Sequence, residues 1–156
     1  MTTDRSFFED RVEMLLANRG WPTADSDGFK ALDQHQKRMA ALFILENEIL
    51  HGGFSKAYFN QTVSLGEHAA DGYEAIGASE HAKVVRRSVE AAKKSEASDR
   101  AKGGMMETLS EAHIKSGFAA VDSEWAALSR MDTSPQKAKY MQEHAKSFGI
   151  VRTQGA

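Results

Sequence analysis

Glu48 and His51 are three residues apart, the Glu-x-x-His spacing that brings a carboxylate and an imidazole onto one helix face as potential metal ligands. A di-metal helical bundle needs two such pairs and two further inward carboxylates. Glu46, Glu107, Glu111 and Glu143 have no histidine three residues on, so the pair is solitary. His35, His68, His81, His113 and His144 lie among polar or small neighbours and read as surface or helix-end residues. No metal and no cofactor are therefore expected. Glu46 and Glu48 could divide acid and base roles only if they faced one another, and positions i and i+2 of a helix diverge. A local role follows instead, with one of them accepting a hydrogen bond from a loop N–H or an indole at the rim of the core.

Other chemistries lack their residues. The chain has no cysteine, which removes thiolate catalysis and a disulfide framework. It has no Gly-x-Ser-x-Gly elbow. The doublets Gly52-Gly53 and Gly103-Gly104 carry neither a Walker lysine nor a dinucleotide-binding spacing, and both read as helix stops. Catalytic residues are expected to be none.

The aromatic trio Phe54, Tyr58 and Phe59 would suit base stacking, but Lys56 is the only base nearby and Glu46, Glu48 and Glu67 are acids. The trio reads as a wedge of core, and Asn60 as the C-cap of its short helix or a side chain holding the following loop, Gln61 to Gly66, through backbone hydrogen bonds. The cations Lys83, Arg86, Arg87, Lys93 and Lys94 lie opposite the Val85/Val89 stripe and read as a solvated face. Net charge is −2. Residues 1–80 hold 13 Asp/Glu against 7 Lys/Arg, net −6, and residues 81–156 hold 9 against 13, net +4. No basic footprint for direct nucleic-acid binding is present.

The elements that must carry these residues are helical. At 156 residues, with 41% apolar and 27% charged residues, the chain suits one domain over 1–156. A first helix presents Phe8, Val12 and Leu15, and stops at Asn18-Arg19-Gly20 before Pro22. A long helix from about Phe29 to His51 turns apolar on every face at Ala40–Leu45, which places it centrally, and Gly52-Gly53 ends it. Three more stripes follow: Ala82/Val85/Val89/Ala92, Phe118/Val121/Trp125/Leu128 and Ala138/Met141/Ala145/Phe148. Ser134-Pro135 reads as an N-cap and first-turn proline. Residues 93–104 read as a frayed end and loop, and 149–156 as a flexible tail. The expected fold is an all-α, single-domain irregular bundle of about seven to eight helices around a long buried helix. The start of the chain shows no secretory signal and no span is long enough for a bilayer, so a cytoplasmic location without membrane contact is expected.

The blocks Glu48, His51-Gly52-Gly53-Phe54, Tyr58-Phe59-Asn60 and Ile76-Gly77-Ala78 resemble the signature of a bacterial domain family of unknown function typified by a DNA-mimic protein. Val121-Asp122, Glu124-Trp125, Tyr140-Met141, His144 and Phe148 extend the similarity, which covers about 32–148. His51 stands where that signature has asparagine. The resemblance implies a non-enzymatic protein-binding domain whose motif residues are mainly structural. It also implies a DNA-binding protein as partner, met by an acidic face for which Asp4, Glu9, Asp10, Glu13, Asp25, Asp27 and Asp33 are the candidates. A metal- or small-molecule-binding helical enzyme built on Glu48 and His51 is one alternative. An immunity-type regulatory partner is another.

Overall fold

The computed structural model describes residues 2–102 and 117–151, the stretch 95–102 by its backbone alone. Among the described residues there are seven α-helices and no strand, so the all-α expectation is met. They are α1 (Asp4–Ala17), α2 (Asp27–Lys30), α3 (Gln34–Gln61), α4 (Val63–Ala75), α5 (Ser79–Lys102), α6 (Phe118–Leu128) and α7 (Ser134–Glu143), followed by a 3₁₀ turn at Ala145–Phe148. No helix of the described residues is long and apolar enough to cross a membrane.

Local chemistry sets several boundaries differently from the sequence pattern. Phe29 belongs to the separate short helix α2, capped by Ser26, and not to the long helix. The long helix starts at Gln34 because Asp33 and Gln36 form a capping box, Asp33 Oδ1 accepting from Gln36 N at 2.9 Å. Helix α5 continues through 93–102, where a loop was expected, since its Lys, Glu and Ala content favours helix even on a polar surface. Gly103-Gly104, Glu107, Glu111, His113 and the tail 152–156 lie outside the described residues. At α7 the boundary residue is Thr133, one place earlier than expected, and Asp132 Oδ1 accepts from Ser134 N at 2.9 Å.

Helix α3 is the centre of the bundle. Met39, Ala40, Ala41, Leu42 and Leu45 have no solvent exposure, and the helix touches α1, α4, α5, α6 and the 3₁₀ turn. Helix α4 lies so close to it that a Cβ on Gly72 would sit 2.9 Å from the Arg38 carbonyl oxygen. Helix α4 ends in a Schellman motif: Ala78 N donates to Tyr73 O at 2.8 Å and Gly77 N to Glu74 O at 3.1 Å, with Gly77 at φ 82°. That corner turns the chain so that α5 packs back on α4, with Val84, Val85 and Val89 facing inward. Helix α6 then lies on α5, and α7 returns to cover α1.

Candidate functional site

The Gly-Gly doublet interrupts α3 without ending it. Gly52 is extended at φ 180°, ψ 20°, and Gly53 takes φ 74°, ψ −174°, a region open to glycine alone. The break leaves Phe54 N without its helical acceptor, and Asp122 of α6 supplies one, Oδ1 accepting at 3.0 Å. The carboxylate acts as an N-cap delivered from another helix. A Cβ on Gly53 would lie 3.0 Å from Asp122 Oδ2, so the close approach also requires glycine. The restarted half-helix drives Phe54 into the core, edge-on to Trp125 at 5.6 Å, and places the Tyr58 hydroxyl 2.5 Å from Ser88 Oγ. Burial pushes the Tyr58 phenol far above its ordinary range.

Several signature residues do something other than expected. Glu48 and His51 do not converge. His51 Nδ1–H donates to Asn47 O at 2.7 Å on the surface, while Glu48 Oε2 accepts from Asn60 Nδ2 at 2.8 Å. Asn60 is therefore a strut across the break and not a C-cap, because α3 continues to Gln61. Phe59 is 54% exposed, outside the core assigned to it, since it faces away from the Phe54/Tyr58 side. Among the described residues no three of His, Asp or Glu gather as a metal set.

The seven candidate acids have varied settings. Asp4, Asp10 and Glu13 are exposed on α1, and Glu9 pairs with Arg5 at 2.9 Å. Asp25 accepts from Ser64 Oγ at 2.5 Å, and its hydrogen bonds from Ser64 and Thr62 hold it below the usual carboxylate range. Asp27 opens α2, and Asp33 caps α3.

The cluster that sequence reasoning missed surrounds Glu46. Lys137, whose side chain is 5% exposed, places Nζ 2.6 and 2.7 Å from the two Glu46 oxygens, and the Tyr73 hydroxyl donates to Oε1 at 2.6 Å. Glu46 thus takes an ammonium and a phenol, where a loop N–H or indole was expected. The Lys137 ammonium also lies over the Phe8 ring, 4.8 Å from its centroid. Burial, reinforced by Glu46, pushes the Tyr73 hydroxyl well up. His81, expected at the surface, is buried: it stacks on Tyr73 at 5.3 Å and meets Trp125 edge-on at 5.6 Å. The spacing His81-Val85-Ser88-Ala92 was the available signal, one helical face with two polar members. Burial lowers the His81 pKa, with Lys137 acting in the same direction and Glu46 opposing. This cluster forms the floor of a cleft of about 860 Å³ between α1, α3, α6 and α7, bordered by the exposed Leu50 and Met131.

A second polar group joins the start of α3 to the end of the described chain. Arg38 bonds Asp71 at 2.8 Å and the Tyr140 hydroxyl at 3.0 Å, and that hydroxyl lies 2.6 Å from His35 Nδ1. His35 stacks on His144 with ring centroids 3.7 Å apart. Burial and the nearby His35 hold His144 below the ordinary imidazole value.

An all-helical bundle, broken at a capped glycine pair, with a polar floor beneath a cleft, is the class that fold and site define. The chain belongs to the DMP19-like protein family (DNA mimic protein 19), whose profile matches residues 30–144 and so spans the break, Glu46 and all of α7. No curated protein and no solved structure matches the chain.

Two measurements check the buried cluster. Lys137→Met leaves the Glu46 carboxylate, partly exposed and still held by Tyr73, without its cation and should lower the unfolding free energy by about 1–3 kcal/mol, while Lys137→Met with Glu46→Leu should recover most of it in chemical denaturation. Equal loss in the single and double variants would contradict the pairing. His68, His81 and His144 all have folded-state pKa values below the ordinary 6.5. As pH falls below about 6.5 the unfolded chain takes up these protons first, so stability present above that value is lost progressively until the folded imidazoles titrate. Melting temperature should therefore fall over that interval, and His81→Gln should flatten the slope.

Proposed function

We propose that this chain is a protein-binding domain of the DNA-mimic type, working without catalysis in the cytoplasm, and that its partner is the basic, DNA-contacting surface of a DNA-binding protein. Membership of the DMP19-like family supports the reading. The observation that carries it is a local acidic face: α1 holds Asp4, Glu9, Asp10 and Glu13 against Arg5 and Arg11. On α5, Arg86 reaches Glu74 at 3.0 Å, Arg87 reaches Glu124, Lys83 reaches Glu80 at 3.1 Å and Lys93 reaches Glu90 at 3.8 Å. Among the described residues Asp10, Glu13, Asp27 and Glu67 are exposed and have no ion pair. Arg19, Lys30, Lys56, Arg130 and Lys146 are likewise exposed without an ion pair among the described residues, so the acidic character is local to α1 within a surface of net charge −2. Such a field favours a cationic partner at short range and decays within about 10 Å at moderate salt.

The immobilised protein should retain DNA-binding proteins from extract at low ionic strength and release them when salt or duplex DNA is added. Asp10→Lys with Glu13→Lys should weaken that retention about tenfold, the scale of losing one or two close charge contacts. Retention that persists at high salt, or in which DNA and this protein occupy the partner together, would rule out mimicry.

A further inference from the structure

The cleft above Glu46 has unused hydrogen-bond donors. Its carboxylates are already engaged: Glu46 by Lys137 and Tyr73, Glu9 by Arg5, Asp122 by the Phe54 amide, Asp132 by the Ser134 amide. The walls also hold side-chain donors that have no partner among the described residues. Trp125 is 8% exposed and its indole N–H has no partner among the described residues. Thr133, also 8% exposed, has a hydroxyl in the same condition and makes no side-chain cap to α7, the helix it opens. Arg130 stands at the mouth without an ion pair among the described residues. The amino end of α7 adds its partial positive charge to that side of the cleft.

Among the described residues no fully buried side-chain N or O atom lacks a partner, so these two donors open into the cleft, where water or a ligand completes them. Here two such groups share a cleft of about 860 Å³, a volume within the range of small-molecule sites. Its border is apolar: Ile49 is half-buried, and Leu50 and Met131 are 81% and 59% exposed. We infer that the cleft binds a small organic molecule that presents a carbonyl or carboxylate oxygen to Trp125 and Thr133 and lays a branched apolar body against Leu50 and Met131. The oxygen accepts from the indole N–H and from the threonine hydroxyl. A carboxylate additionally meets Arg130, whereas an amide depends on the two neutral donors. This site is independent of the carboxylates that support protein binding, so either reading can fail alone.

The chain has two tryptophans, and Trp21 is exposed, so a ¹⁵N-labelled Trp21→Phe protein reports Trp125 through a single indole N–H signal. Three probes share one apolar body: N-acetyl-L-leucine, N-acetyl-L-leucinamide and isopentylamine, which has no carbonyl. The first two should move the indole signal saturably and the amine should not. If the carboxylate binds more tightly and Arg130→Ala removes that advantage, the natural ligand is an acid; if the amide binds at least as well, it is a neutral carbonyl compound. Thr133→Val should weaken either about fivefold, the effect of deleting one neutral hydrogen bond. No saturable shift with either carbonyl probe, or an equal shift with isopentylamine, would overturn the inference.

Discussion

The architecture depends on one hydrogen-bonded contact, the carboxylate of Asp122 against the amide of Phe54. A helix as apolar as α3 would by propensity run on, and two glycines alone would leave a flexible joint. The carboxylate supplied by α6 turns that joint into a fixed break. Before the break, α3 projects Glu46 towards α7; after it, Phe54 and Tyr58 project towards α6 and α5. Asn60 reaching back to Glu48 ties the two halves on the outer side. The cleft runs past Gly52, Gly53 and Asp122 to Lys137.

The Glu46–Lys137 pair lies at the floor of that cleft. Removing an ammonium and a carboxylate from water is unfavourable unless geometry returns most of the cost. Here Lys137 meets both Glu46 oxygens, Tyr73 donates to one of them, and the Phe8 ring faces the ammonium. Because the four residues come from α3, α7, α4 and α1, the cluster fixes how those helices meet as well as closing a local charge balance. Its partly exposed member is Glu46, so the pair borders the cleft and is not sealed within the core.

Much of the fold was legible in the chain because helix signals are local. The 3-4-3 stripes of α5, α6 and α7 bury the residues they named, with Leu128 and Phe148 half-buried. Boundaries were less legible, because caps such as Asp33 and Ser26 split a pattern that periodicity alone joins. The site was read least well. Glu48 and His51 drew attention through a familiar spacing, yet helix phase and the glycine break send them to different surface partners. Lys137 lies 91 positions from Glu46, and nothing local in a lysine beside alanine announces a buried ion pair. His81 was nearer to recognition, since it shares a face with Val85 and Ala92, but its glutamate neighbour argued for the surface.

The central claim is that a side chain from α6 holds the break in α3 shut, and amide hydrogen exchange at Phe54 tests it directly. The Phe54 amide should exchange slowly in the native protein and lose that protection in Asp122→Leu, while amides of Met39–Leu45 stay protected. A Phe54 amide that exchanges as fast as an open loop in the unaltered chain, or one indifferent to the loss of Asp122, would contradict the account.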